Sequence, residues 1–256
     1  MTKVNTLIFS GYGLNCEEET KIAFEMAGGA PDIVHINDII AKPALLKRYQ
    51  IVAFPGGFSY GDDTGSGKAF GNRLKAHLGA DIEKFLTRDT LMIGICNGFQ
   101  ILTAAGILPG ALMANDAPRF LVRWTDVEVK GKSPWLSGIE RLSLPIAHGE
   151  GKYYAPKETL NQLKRSGHIG LTYVSGKMCE HFGLPANPTG TLENIAGITA
   201  HGGRVLGLMP HPERAVRFTQ LPQWTLLKER CIRTGESLPP EGPGLQVFKN
   251  AVSYFA

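Results

Sequence analysis

The first hundred residues alternate short apolar runs with stretches in which apolar residues recur every three or four positions. The runs predict strands, and the periodic stretches predict helices with one buried face. The predicted strands are residues 4–9, 33–36, 51–54 and 91–95, and the predicted helices are residues 17–27, 39–46 and 68–86. This succession of strand and helix predicts right-handed βαβ units around a central, mainly parallel sheet flanked by helices.

The second half of the chain has a different pattern, in which turn-rich segments join strand-like runs. These runs are residues 120–130, 142–146, 170–174, 195–200 and 205–208. A turn at residues 201–204, with two glycines, predicts a hairpin between the last two, so we expect antiparallel strands on one side of the same sheet. Residues 219–243, rich in proline, glycine and charge, predict an extended connection before a terminal helix at 245–255.

Length and composition restrict the class of protein. The 256 residues, 43% of them apolar and without an internal repeat, predict one α/β domain over residues 1–256. The net charge of +4 is scattered along the chain, which excludes nucleic acid as the main partner. No run of 18 apolar residues is present, so we expect no membrane partner. The four cysteines lie far apart and no long apolar segment opens the chain; we therefore expect free thiols and a cytoplasmic location.

The residues around Cys96 are those of a nucleophile held on a sharp turn. The predicted strand 91–95 ends there, a helix is predicted to begin at once, and Gly94 and Gly98 lie two residues to either side. Glycine relieves the crowding on such a turn, and the N-terminus of the helix favours a thiolate. The alternative is that Cys96 is a small hydrophobic residue of the core.

A nucleophilic thiol needs a base and a group that orients the base. His211 and Glu213 follow the predicted strand 205–208. In an extended backbone, residues two apart point to the same side, so Glu213 can hold the imidazole while its other nitrogen faces the thiol. The alternative is a surface His–Glu pair on an exposed turn.

Acyl chemistry also needs N–H donors for the developing oxyanion. The Pro-Gly-Gly segment 55–57 follows the predicted strand 51–54, at the sheet edge where α/β proteins place ligands. We predict that the backbone N–H groups of Gly57 and Asn97 are the two donors; a purely structural turn is the alternative for 55–57. No ligand pairs at zinc spacing surround the cysteines, so we predict no metal site.

Three segments resemble the class I (triad) glutamine amidotransferases, which have a flavodoxin-like α/β fold. These are residues 94–100 (Gly-Ile-Cys-Asn-Gly-Phe-Gln), 55–62 (Pro-Gly-Gly-Phe-Ser-Tyr-Gly-Asp) and 209–215 (Met-Pro-His-Pro-Glu-Arg-Ala). Within that family the chain is similar to the glutaminase subunits of phosphoribosylformylglycinamidine synthase, an enzyme of de novo purine biosynthesis. Further matching segments are residues 13–17, 145–153, 187–190 and 194–198.

The resemblance implies a mechanism. Cys96 attacks the side-chain amide of glutamine to form a glutamyl thioester, His211 protonates the departing ammonia and then activates water, and Glu213 orients His211. The resemblance also implies that the glutamine pocket includes Gly56, Phe58, Gln100 and His148.

The resemblance further implies that ammonia passes to a separate synthetase subunit, in some organisms with a small third subunit. That synthetase uses ATP and magnesium to make formylglycinamidine ribonucleotide, so this chain needs no cofactor of its own. Our hypothesis for residues 219–243 is that they dock the partner.

Two other functions compete with this interpretation. The first is a cysteine hydrolase or peptidase of the related flavodoxin-like superfamily, which also carries a nucleophilic cysteine on such a turn. These enzymes commonly have their catalytic histidine close after the cysteine. This chain has Phe99, Gln100 and Ile101 there, which argues against the alternative. A non-catalytic binding module with the same fold is the second alternative; the intact set of Cys96, His211 and Glu213 argues against it.

Overall fold

A nine-stranded sheet forms the centre of the computed structural model, which describes residues 3–62 and 65–256. Its strands are β1 (Asn5–Ser10), β2 (Ala30–His35), β3 (Ile51–Phe54), β4 (Leu91–Ile95), β6 (Leu121–Val129), β7 (Arg141–His148), β9 (Ile169–Val174), β10 (Ile195–Ala200) and β11 (Val205–Leu208). Two short strands, β5 (Ala111–Met113) and β8 (Lys152–Tyr154), form a separate antiparallel ladder. The order in the large sheet is β2-β1-β3-β4-β11-β10-β9-β6-β7.

Helices cover the sheet. They are α1 (Glu17–Met26), α2 (Ile36–Ala41), α3 (Lys68–Thr87), α4 (Asn97–Ala104), α5 (Lys157–Arg165), α6 (Lys177–Phe182), α7 (Trp224–Thr234) and α8 (Leu245–Ser253). The apolar face of α3 that the spacing predicts is buried in the core. Its residues are Phe70, Leu74, Leu78, Ile82 and Phe85. Within the described residues, no helix is both long and apolar enough to span a membrane.

The sheet has a parallel half and an antiparallel half. Strands β2, β1, β3, β4 and β11 pair in parallel, and β10, β9, β6 and β7 continue the sheet in antiparallel pairing. All residues of β3, β4 and β11 are buried, because helices and loops cover both faces there. This confirms the predicted α/β architecture with antiparallel strands added on one side.

Several elements differ from the prediction. The helix expected at 39–46 is instead α2, followed by a separate 3-10 turn at Pro43–Arg48, because proline cannot donate the N–H that a continuous helix needs. The segment 219–243, expected to be extended, contains α7. No residue of α7 is buried, and the prolines and glycines on which the prediction rested all lie before or after the helix. The terminal helix, α8, forms as expected.

Three neighbouring parallel strands end at one edge of the sheet. Strand β4 lies between β3 and β11, with Phe54 paired to Gly94 and Leu208 paired to Ile95. Parallel strands in register present their carboxyl ends together. The segments that follow β3, β4 and β11 therefore meet at this edge.

Helix α4 crosses the end of β3 at unusually close range. A Cβ atom added to Gly98 would lie 1.9 Å from the carbonyl oxygen of Phe54, and one added to Gly94 would lie 2.6 Å from the carbonyl oxygen of Gly98. These contacts involve backbone atoms, which cannot rotate away as a flexible side chain can. Glycine at both positions is thus a packing requirement of the turn at Cys96.

We expect the Gly98→Ala substitution to lower the free energy of unfolding by roughly 3 kcal/mol or more, because the methyl group overlaps rigid backbone. Gly79, in the interior of α3, is the matched control, since a Cβ there meets nothing within 4 Å. Gly79→Ala should raise the stability by up to about 1 kcal/mol. Urea unfolding of both variants measures the difference; equal stabilities would contradict the packing argument.

Candidate active site

The segments after β3, β4 and β11 bring together the residues that the sequence singled out. Gly56 and Gly57 follow β3, Cys96 follows β4, and His211 follows β11 after a short link. The side chains of Cys96 and His211 are buried, at 3% and 2% exposure. Residues more than a hundred positions apart in the chain thus share one site.

Cys96 occupies a backbone conformation that is strained for any residue other than glycine. Its φ is +52° and its ψ is −104°, and α4 begins at the next residue. This conformation places the cysteine at the N-terminus of α4, where the unpaired N–H groups and the helix dipole favour a negative charge. The Cys96 Sγ lies 3.7 Å from the carbonyl oxygen of Ala147 in β7.

His211 and Glu213 form the predicted pair. The His211 Nδ1 and Glu213 Oε1 atoms are 2.5 Å apart, and both side chains are buried. The pair forms by a different local geometry from the extended backbone that the sequence suggested, because a 3-10 turn runs from Pro212 to Ala215. The backbone N–H of His211 donates to the carbonyl of Pro145 at 2.8 Å, which ties the turn to β7.

The charge state of His211 follows from its surroundings. Burial by itself lowers the pKa of His211, but the negative charge of Glu213, the charge interaction with Cys96 and hydrogen bonds to the sulfurs of Cys16 and Cys96 raise it. The net pKa lies well above the ordinary value for histidine. Near neutral pH the imidazolium is therefore favoured. An imidazolium close to a thiol stabilises the thiolate, which is the reactive form of cysteine.

The backbone around Gly57 has the features expected of an oxyanion site. Gly57 has a φ of +152°, and a Cβ there would lie 2.6 Å from both Gly13 O and Leu14 Cα. A bridge pairs Leu14 with Gly57, and its hydrogen bonds use the Gly56 carbonyl and the Phe58 N–H. Since successive residues of an extended segment point to opposite sides, the Gly57 N–H faces away from Leu14.

Asn97 and Gln100 link the loops around the site. The Asn97 side chain accepts from the backbone N–H of Ser59 at 3.2 Å and donates to Gln100 Oε1 at 2.8 Å. Gln100 Nε2 in turn donates to the carbonyl of Glu150 at 2.6 Å. The structure thus places Gln100 between α4 and the loop at 148–151, and its role as a glutamine ligand stays a prediction.

His148 and Phe58 lie at different depths. His148 is buried, and its ring packs so closely on Gly151 that a Cβ there would lie 2.0 Å from His148 Cε1. Neither ring nitrogen of His148 has a hydrogen-bond partner among the described residues. Burial, with the nearby charge of His211, lowers the pKa of His148 to about 3, so the ring is neutral. Phe58 is exposed beside Phe120, with ring centroids 5.6 Å apart.

Sequence reasoning missed Asn115, which holds the loop at 148–151. Its Nδ2 donates to the carbonyl of His148 at 2.9 Å, and its Oδ1 accepts from the N–H of Gly151 at 2.9 Å. Asn115 lies between strands β5 and β6, in a polar segment without periodicity or a motif. The amino-acid sequence therefore carried no signal for this contact.

Cys16 also lies next to the His211–Glu213 pair; it belongs to the matching segment 13–17, which pointed to the family but not to this contact. Its Sγ, a nitrogen of His211 and a carboxylate oxygen of Glu213 all lie within 4.8 Å of one another. These are ligand types that metals prefer, but Arg214 Nη2 lies 3.0 Å from the sulfur. A metal cation would face this guanidinium at close range, so we interpret the cluster as part of the histidine's surroundings.

Comparisons with known proteins agree with this geometry. Residues 3–255 match the CobB/CobQ-like glutamine amidotransferase domain. The subunit PurQ of phosphoribosylformylglycinamidine synthase from Dehalococcoides mccartyi is 46% identical, with 99% of this chain and 98% of that protein covered. The chain belongs to the PurQ family of glutamine amidotransferases. The PurQ protein of Methanococcus maripaludis strain C7 is 44% identical, with 97% and 96% of the two chains covered.

A solved structure supports the family at the level of the fold. A chain of the PurLQS structure from Thermotoga maritima is 28% identical, matches all of both chains and superimposes with a TM-score of 0.75. Cys96, His211 and Glu213, which follow β4 and β11, therefore lie on a fold shared with a chain of the solved PurLQS structure.

We expect Glu213→Gln to lower the pKa of His211, because the amide removes the negative charge that raises it. The resemblance implies that the imidazolium protonates the leaving group, so we expect activity to be lost as pH rises through the His211 pKa. The alkaline limb of kcat/KM should accordingly move to lower pH, with kcat reduced roughly 10²- to 10⁴-fold. An NMR titration of ¹³C-labelled histidines measures the His211 pKa directly.

The control is Glu83→Gln, which removes a carboxylate on the exposed side of α3. An unchanged His211 titration in Glu213→Gln would refute the assignment.

Proposed function

We propose that this chain is the glutaminase subunit of phosphoribosylformylglycinamidine synthase, and that it hydrolyses L-glutamine to glutamate and ammonia. One observation carries the proposal. Cys96, strained at the N-terminus of α4, interacts electrostatically with His211 of the buried His211–Glu213 pair, and Cys96 and His211 follow two adjacent parallel strands. The residues form one catalytic domain over 1–256, with Cys96 as nucleophile, His211 as acid and base, and Glu213 as the group that orients His211.

In the first half of the reaction, the Cys96 thiolate attacks the side-chain carbonyl carbon of glutamine. A carbon–sulfur bond forms, and the carbonyl electron pair moves to oxygen. The backbone N–H groups of Gly57 and Asn97 stabilise this oxyanion. Two features support the assignment: the Gly57 N–H faces away from Leu14, and Asn97 is the first residue of α4, whose N–H has no acceptor within the helix.

The tetrahedral species then collapses. The His211 imidazolium gives its proton to the amide nitrogen, the carbon–nitrogen bond breaks, and ammonia leaves a glutamyl thioester on Cys96. Neutral His211 next takes a proton from water, whose oxygen attacks the thioester. The carbon–sulfur bond breaks, glutamate leaves, and the thiolate–imidazolium pair is restored.

Four further residues form the glutamine pocket in this proposal: Gly56, Phe58, Gln100 and His148. The absence of a side chain at Gly56 leaves room beside the His211 ring, since a Cβ there would lie 2.7 Å from His211 Cε1. Neutral His148, with both nitrogens unpaired within the described residues, can donate and accept hydrogen bonds with the substrate. Phe58 lines the exposed mouth, and Gln100 holds the loop that closes the pocket.

Ammonia passes in this proposal to a PurL-type synthetase subunit, with a small PurS-type third subunit. The similarity to a chain of PurLQS supports this assembly. In this proposal the synthetase binds and uses ATP and magnesium, and this chain uses no cofactor of its own. We place the chain in the cytoplasm. The triad needs none, because the thiolate, the imidazolium and the backbone N–H groups supply nucleophile, acid and oxyanion donors.

The segment 219–243 is proposed to dock the synthetase. Helix α7 in this segment exposes large apolar side chains, with Leu226 and Ile232 each 60% exposed. Apolar side chains of this size on an otherwise polar helix are typical of an interaction surface.

Glutamate release is the assay that tests the proposed activity. Wild type and Cys96→Ala are compared with and without a PurL-type synthetase, ATP and formylglycinamide ribonucleotide. We expect release that the partner stimulates and that is lost in Cys96→Ala. No release from wild type in a complex shown to be assembled would refute the proposal and would favour a different hydrolase or a non-catalytic module.

We expect the double substitution Leu226→Glu and Ile232→Glu to weaken assembly with the synthetase by at least roughly 10-fold, because charge on the contact face costs more than about 1.4 kcal/mol on desolvation. Calorimetric titration of the two subunits measures the loss. The control is Lys228→Glu, which changes charge on the same helix without removing an apolar side chain. Unchanged affinity in the double variant would place the docking surface elsewhere.

A further inference from the structure

Cys16 joins helix α1 to the segment that follows β3. It is 1% exposed and forms the N-cap position of α1. The backbone N–H groups of Asn15 and Cys16 both donate to the carbonyl of Gly56, at 3.1 and 3.2 Å. The position of Cys16 is therefore fixed by the same segment that we propose to bind the oxyanion.

The sulfur of Cys16 lies between a cation and the catalytic histidine. Arg214 Nη2 donates to it at 3.0 Å, and the thiol is directed to Asn15 Oδ1 at 3.4 Å. A Cβ on Gly56 would lie 3.1 Å from this sulfur and 2.7 Å from His211 Cε1. Burial raises the pKa of the Cys16 thiol. At neutral pH the sulfur is consequently a neutral hydrogen-bond acceptor.

Arg214 could compete with His211 for the same carboxylate. It directly follows Glu213 in the chain, and Glu213 Oε2 has no hydrogen-bond partner in the described parts of the molecule. A guanidinium binds carboxylates strongly and in bidentate fashion. In the structure, however, Arg214 contacts Cys16 and, through its Nε at 3.3 Å, Glu19 Oε1. These two contacts hold the guanidinium away from Glu213.

We propose that Cys16 is a positioning residue of the amidotransferase reaction, whose sulfur binds Arg214 so that Glu213 remains paired with His211. The inference rests on the proposed glutaminase function for its kinetic consequences, but the placement of Arg214 can be tested without turnover. The titratable groups that interact with His211 are Glu213, Cys96, Cys16 and His148, and the guanidinium of Arg214 interacts in turn with Cys16 and Glu213. Of these, Cys16 is the neutral group between the histidine and the guanidinium.

The Cys16→Ala substitution should release Arg214 toward Glu213. The carboxylate then shares its charge with the guanidinium, so the pKa of His211 falls and the alkaline limb of kcat/KM moves to lower pH. We expect kcat to fall about 10- to 100-fold with KM changed less than about 3-fold, as for loss of a hydrogen bond to a charged group. Cys16→Ser retains an acceptor for Arg214 and should recover most of kcat.

A double-mutant cycle with Arg214→Gln separates positioning from packing. If Cys16 acts by binding Arg214, Cys16→Ala should change kcat and the His211 pKa much less in the Arg214→Gln background than in wild type. Cys179→Ala, which removes another buried thiol, is the control and should leave the His211 titration unchanged. Thermal unfolding of each variant in the complex with the synthetase shows whether the fold is intact.

Two results would overturn the inference. Equal effects of Cys16→Ala in the two backgrounds would mean that Cys16 acts without Arg214, either by its direct contact with His211 or by filling space. An unmoved His211 pKa in Cys16→Ala would mean that Arg214 does not compete for Glu213. The NMR titration needs no glutaminase activity. A failure of the proposed function, seen as absent glutamate release by wild type, is thus distinguishable from a failure of this inference.

Discussion

The close approach of α4 to β3 is the constraint on which the site depends. Gly98 meets the Phe54 carbonyl at a distance that excludes a Cβ, so the sharp turn at Cys96 can bring α4 this close only with glycine at position 98. The turn holds Cys96 at a φ of +52°, a conformation that costs about 1–3 kcal/mol for a residue with a side chain. The sheet sustains this strain because all residues of β4 are buried between β3 and β11. Burial of the strands thus maintains Cys96 in its strained conformation.

Buried polar side chains transmit this rigidity to the loops. Asn97 binds the Ser59 N–H, Gln100 binds the Glu150 carbonyl, and Asn115 binds both ends of the loop at 148–151. Each of these amides satisfies backbone groups that would otherwise be buried without partners, at a cost of about 1–3 kcal/mol each. The loops on either side of Cys96 are therefore fixed by hydrogen bonds that originate in α4 and in the β5–β6 connection.

Strongly apolar strands and fixed glycine spacings made the parallel half of the sheet and the sharp turn at Cys96 predictable from the sequence. The spacing around Cys96 carries the physical reason for the turn, and the observed contacts of Gly94 and Gly98 agree with it. The elements that escaped prediction are short or solvent-facing. Helix α7 buries no residue, and β5 and β8, with three residues each, are too short to show a period. The contacts of Cys16 and Asn115 join residues far apart in the chain, and local sequence patterns do not predict such contacts.

The most direct test of the account is to locate the covalent intermediate. The assembled complex is mixed with glutamine, quenched in acid within milliseconds, and digested for peptide mass spectrometry. The account predicts a glutamyl adduct on the peptide that contains Cys96, and no such adduct in Cys96→Ala. An adduct on the peptide that contains Cys16, or hydrolysis of glutamine with no thioester on Cys96, would contradict the assignment of Cys96 as the nucleophile.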